Sequence, residues 1–132
     1  PSIGALNTID KFPFATDGNA TDVGDLTQAR SYPAGQSSAE SGYSSGGGAP
    51  SQVNTVDKFS FAADANATDV GDLTQVRSIF VGQSSSISGY ASGGNGPPTV
   101  NTIDKFSFVA DGNATDVGDL TQINRLTAGQ QV

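Results

Sequence analysis

The sequence predicts an all-β protein built from tandem 47-residue units, each contributing about four short antiparallel strands. Three observations predict it. Asn7-Thr8-Ile9-Asp10-Lys11-Phe12 returns as Asn54-Thr55-Val56-Asp57-Lys58-Phe59 and as Asn101-Thr102-Ile103-Asp104-Lys105-Phe106, a constant step of 47 residues. Aligned without a gap, the first two units match at 32 of 47 positions. β-Branched and aromatic residues recur at fixed places between Gly- and Asp-rich turns. Units of this length cannot bury an apolar face alone and gain a core by stacking on their neighbours. The units run 1–53, 54–100 and 101–132, the third incomplete, in one array.

Within a unit, Thr8 to Phe14 reads as a strand with Phe12 and Phe14 on one face, a spacing repeated at Phe59/Phe61 and Phe106/Phe108. Asp17-Gly18-Asn19 and Asp111-Gly112-Asn113 read as tight turns in which Gly supplies a positive φ. In the middle copy, Asp64-Ala65-Asn66, Asn66 is the candidate for that conformation. Thr21 to Thr27 reads as a second strand. Val23 and Leu26 break its alternation, which a bulge at Gly24 repairs; a helical turn capped by Asp22 is the competitor. A third strand falls at Arg30 to Gly35, clearer in its copy Val76 to Val81. The fourth is Gly42-Tyr43-Ser44-Ser45-Gly46-Gly47, with its copy at Gly89 to Gly94, and its small residues suit close backbone neighbours. The Gly-rich stretches 46–52 and 93–99 hold a constant place in the repeat, which makes them inter-strand connections rather than linkers.

Composition narrows the chemistry. Hydrophobic residues are 35%, too regularly placed for a disordered chain. Cys, Met, Trp and His are absent, which excludes disulfides, a thiol nucleophile, an imidazole base and any thiolate or imidazole metal site. With a net charge of −7 and only six Lys and Arg dispersed over three units, there is no basic stripe for nucleic acid or an anionic membrane. No apolar run is long enough to insert into a bilayer as a helix. The chain opens at Pro1, without Met or a secretory pattern, and reads as a processed product or an excerpt of a longer chain.

Four strands in roughly 40 to 50 residues is the size of a propeller blade. Gly42-Tyr43-Ser44-Ser45-Gly46-Gly47 resembles the double-Gly strand of kelch-type β-propeller repeats, although the Trp of the kelch aromatic pair is missing here. Asn19-Ala20-Thr21-Asp22-Val23-Gly24-Asp25-Leu26-Thr27, preceded by Asn7-Thr8-Ile9-Asp10, is similar to the kelch-like repeat arrays of tailed phages and marine viral sequences. That resemblance covers nearly the whole chain and implies a virion-associated or surface-displayed propeller. Propellers close with roughly four to eight blades, so three units do not make a ring. Head-to-tail association, most simply two chains giving six blades, or a longer parent chain is expected, and a filament if closure fails. A β-solenoid or trimeric fibre is the alternative architecture.

The candidate metal ligands are the recurring carboxylates Asp17, Asp22 and Asp25, Asp64, Asp69 and Asp72, and Asp111, Asp116 and Asp119, with oxygen chemistry suited to Ca²⁺. Asp17-x-Asn19-x-Thr21 resembles the opening of an EF-hand loop, but Asp22 stands where that loop needs Gly and Gln28 where it needs Glu. Turn-forming hydrogen bonds are the favoured competing role for these residues. Asn19, Asn66 and Asn113 each satisfy the glycosylation sequon and are read as plain turn residues. Lys11, Arg30 and their copies are expected to form exposed, weak pairs with nearby Asp residues. Tyr32, Ile79, Phe80 and Leu126 vary between units where their flanks do not, which reads first as loose constraint and second as a set of candidate ligand-contacting positions on a face suited to glycan packing. No catalytic residue is assigned, because an identical carboxylate set in every unit does not make the single asymmetric constellation of a glycosidase. The expectation is a non-catalytic structural or adhesion repeat protein of a virion tail or fibre, or otherwise extracellular. It would bind a host surface or glycan multivalently. A cellular extracellular propeller or filament scaffold is the alternative, and a glycan-cleaving enzyme a third.

Overall fold

The computed structural model describes residues 4–48, 50–124 and 128–129. The described residues hold ten antiparallel strands in three sheets and no helix. The first sheet pairs β1 (Leu6–Lys11) with β2 (Thr21–Arg30). The second is the meander β3 (Ala34–Ser37), β4 (Ser41–Ser45), β5 (Thr55–Ser60) and β6 (Thr68–Asp72). The third repeats it 47 residues on with β7 (Val81–Ser84), β8 (Ser88–Ser92), β9 (Thr102–Ser107) and β10 (Thr115–Asp119). Each four-stranded sheet therefore straddles a repeat boundary, and its four strands come from two successive units. The first sheet has only the two strands equivalent to β5 and β6.

Register follows from the residues. Ile9 faces Gly24 and Asp10 faces Asp22, so Val23 is the extra residue of a bulge, and Val56/Gly71 and Asp57/Asp69 repeat it. Gly24, Gly71 and Gly118 sit at φ 153°, 148° and 150°, which L side chains rarely adopt. The bulge thus takes the place of the capped helical turn. The expected tight turn at Asp17-Gly18 is instead a loop of residues 12–20 between β1 and β2. Neither Gly18, Gly112 nor Asn66 has a positive φ, so Ala65 fits the middle copy without strain. The β3–β4 connection is the tight one. Ser38 N donates to Ser41 O at 2.9 Å, and Ser38 Oγ accepts from Ser41 N at 3.0 Å.

Successive sheets pack face to face, with β3 against β7 and β8. Small residues permit this: Gly82 lies on the Gly35 carbonyl, and Ser37 N donates to Ser84 Oγ at 2.9 Å. The core lies between the second and third sheets, formed by Ala34, Tyr43, Val56, Leu73, Phe80, Ala91, Phe106 and Ala114. At the outer edge the bulge glycines seat the loop of the next unit. A Cβ on Gly24 would collide with the Ala65 carbonyl and one on Gly71 with the Gly112 carbonyl, whereas one on Gly118 meets nothing among the described residues. Replacing Gly118 by Ala should cost only backbone strain, about 1–3 kcal/mol. Gly71→Ala should cost visibly more, since it adds overlap with backbone. Denaturant unfolding of the two variants checks the order.

Candidate functional site

Between adjacent sheets lies the same polar assembly, built twice. Arg30 closes β2 and reaches into the second sheet, where its Nη2 donates to Asp57 Oδ2 at 2.6 Å. Its Nη1 donates to the carbonyls of Gly46 and Thr55, both at 3.2 Å. Thr27 completes the carboxylate's shell, with its N–H on Oδ2 at 3.0 Å and its Oγ1 on Oδ1 at 2.7 Å. One unit later Arg77 pairs with Asp104, bonds the Gly93 and Thr102 carbonyls, and Thr74 donates twice to Asp104. Asp57 and Asp104 are 0% exposed, Arg77 is 0% exposed and Arg30 only 4%. Burial pushes the Arg30 guanidinium below its usual range, opposed by the nearby charges of Asp57 and Asp69. Arg77 also lies over the Phe80 ring, 5.7 Å from its centroid.

These arginine pairs correct the expectation of exposed, weak ion pairs. Only the lysines behave that way: Lys11–Asp64 and Lys58–Asp111 meet at 3.0 Å near the surface. The hydrogen bond to Asp111 holds Lys58 above the usual ammonium range, against a smaller opposing effect of burial. A raised base keeps its stabilising contribution at neutral pH and loses it as pH climbs through the raised value, in the alkaline range.

The structure distributes the nine candidate metal ligands rather than gathering them. Asp22, Asp69 and Asp116 each accept from the backbone N–H two residues on, at Gly24, Gly71 and Gly118, within 3.0–3.1 Å. The backbone N–H groups of Asp25 and Asp72 donate to Asn66 and Asn113 of the next unit, at 3.0 and 3.1 Å. Asp64 and Asp111 hold lysines, and Asp17 and Asp119 are exposed. Among the described residues no group of three acidic side chains converges as a metal would need. The sequon asparagines Asn66 and Asn113 work as inter-unit acceptors.

Of the candidate ligand-contacting residues, Tyr32 is 68% exposed and Ile79 is half-buried, both with φ 54°. Phe80 sits apart from any presented face, packed in the core beneath Gly46 and Gly94. Leu126 lies outside the described residues. Besides the buried arginine pairs, sequence reading missed a groove of about 490 Å³ beside β1, walled by Phe12, Phe14, Phe59 and Phe61. Its signal was present: Phe-x-Phe recurs in three copies and its Gly-Tyr partner strand in two.

No protein-family model matches the chain, and no curated protein is significantly similar to it.

Removing one member of a buried pair leaves the other charge unpaired, at a cost of about 3–5 kcal/mol. Asp57→Asn and Arg77→Met should each lose that much in urea unfolding. Asp10→Asn, at the equivalent but exposed aspartate, should stay within about 0.5 kcal/mol. Because five of the nine carboxylates are spent singly on N–H groups or lysines and no three converge among the described residues, millimolar Ca²⁺ should leave the thermal midpoint unchanged. A rise on Ca²⁺ addition that EDTA reverses would restore the metal reading.

Proposed function

We propose that the chain is a non-catalytic, propeller-type repeat protein of structural or adhesive function. Its sheets act as blades, and its loops are displayed toward a host surface or glycan. The single observation that carries this reading is one inter-sheet interface built twice, with the first and third sheets each presenting an unmatched half of it among the described residues. At the N-terminal end the exposed half comprises Asp10, Phe12, Phe14 and Asp17, whose third-unit copies Asp104, Phe106, Phe108 and Asp111 are engaged by Arg77, Tyr43 and Lys58. At the C-terminal end it comprises Tyr90, Lys105 and Gly118. Phe14 is 94% exposed, while its copy Phe108 packs on Tyr43. Tyr43 is 3% exposed, while its copy Tyr90 is only half-buried. Lys105 has no ion-pair partner among the described residues, whereas Lys11 and Lys58 each reach the next unit's aspartate.

Repeating the 47-residue step once more would set Tyr90 of one copy on Phe12 and Phe14 of another, and Lys105 on Asp17. Such heterologous contacts close into a ring or run on as a filament, and either gives many identical loops and hence avidity. The buried carboxylates Asp57 and Asp104 are both neutralised by arginine, which supports a non-catalytic role. The likeness of the Asn19 to Thr27 stretch to phage and marine viral repeats supports a virion or extracellular setting.

Light scattering tests the assembly. A mass well above the 13.3 kDa of one chain is expected, with Tyr90→Ser or Phe14→Ser weakening association about tenfold or more. Lys105→Asp should weaken it modestly and be rescued by Asp17→Lys. A folded 13.3 kDa monomer at every concentration would sink the end-to-end proposal.

A further inference from the structure

Among the described residues β1 is paired on one side only, by β2, whereas its counterparts β5 and β9 are paired on both. The strand on the second side is β4 in one sheet and β8 in the other. The unpaired edge of β1 runs along the apolar groove, whose walls are the edge-to-face pairs Phe12–Phe14 and Phe59–Phe61, with centroids 5.3 and 6.2 Å apart. Unpaired strand edges bind extended peptides by backbone hydrogen bonds, and flanking pockets choose the side chains.

The rest of the molecule shows which side chains belong there. Where the equivalent edge is covered, Gly42 lies opposite Phe59 and beneath its ring, and Gly89 stands in the same relation to Phe106. A Cβ on either glycine would collide with the phenylalanine. The next residue, Tyr43, crosses to the neighbouring sheet, stacking on Phe108 at 4.6 Å and meeting Phe106 at 5.7 Å. In the groove Phe12 holds the position of Phe59, and Phe59 and Phe61 hold the positions of Phe106 and Phe108.

We propose that this groove is a β-strand acceptor site, and that its ligand is an extended Ser-Gly-Tyr-(Ser/Ala)-Ser segment of the β4 type. The strand pairs antiparallel to β1, its glycine opposite Phe12 and its tyrosine opposite Lys11, with the ring seated against Phe59 and Phe61. Glycine is favoured because a Cβ there would push the phenylalanine ring aside, and tyrosine supplies the large aromatic area that fills the space beyond it. The inference rests on the repeat-array reading but not on end-to-end association, since that contact uses Tyr90 and leaves this strand position open.

The test uses the intact chain and a fluorescein-labelled peptide with the sequence of Ser38–Gly47, followed by anisotropy. Saturable binding is expected. Peptides carrying Gly42→Val or Tyr43→Ala should bind at least tenfold more weakly, as should the wild-type peptide to a Phe61→Ala protein. Phe14→Ala, at a side chain too exposed to matter for folding, should weaken binding as well. Absence of saturation at millimolar peptide, or equal binding of the wild-type and Gly42→Val peptides, would overturn the site. A chain that is monomeric yet binds the peptide keeps the groove and loses the end-to-end contact. One that assembles but ignores the peptide does the reverse.

Discussion

Arg30 with Asp57, and Arg77 with Asp104, set the spacing of everything around them. Each pair joins the end of one sheet's run to the third strand of the next sheet, and each arginine also binds the two carbonyls that flank the double-glycine corner. An isolated buried charge is prohibitively costly, so the arginine enters the interior only where carboxylate, carbonyls and threonine donors already converge. That mutual dependence makes the interface nearly all-or-none. It also explains how a chain with 35% hydrophobic residues holds three sheets together. Much of the adhesion between neighbouring sheets is polar, specific and repeated.

Glycine and serine make the second contribution by absence of bulk. The inner strands approach until Gly82 lies on a carbonyl of β3, and the corner glycines Gly46 and Gly94 press on Phe80. Tyr43, Phe106 and Phe108 then fill what the small residues leave between sheets. A core assembled in this way has no meaning within one unit. Tyr43 of the second sheet finds its partners Phe106 and Phe108 on and beside the third, and such dependence on a neighbour is the physical basis of repeat cooperativity.

The acidic residues show how one side chain serves different ends by position. Asp22, Asp69 and Asp116 hold the bulge, Asp64 and Asp111 hold lysines, and Asp57 and Asp104 anchor the interior. In sequence all are Asp within repeated polar stretches, and the ones singled out as candidate ligands did not include the buried pair. Nothing local separates Asp10, exposed, from Asp57, fully buried. The difference is only whether an arginine stands 27 residues earlier, since Asp57 follows Arg30 and Asp104 follows Arg77 at that distance.

The all-β class, the 47-residue step, the bulge at Gly24 and the strand count per unit were legible in the chain alone. Periodic β-branched and aromatic residues, and a glycine misplaced for alternation, are local signals that survive without a partner. Which unit's strands share a sheet was not legible, because a meander can be cut at any phase of a periodic sequence without changing its pattern. Nor were the burial of Arg30, the internal place of Phe80, or the groove between the Phe12 and Phe59 pairs. Those depend on how far one sheet's side chains reach into the next, a distance that exists only once the sheets are stacked.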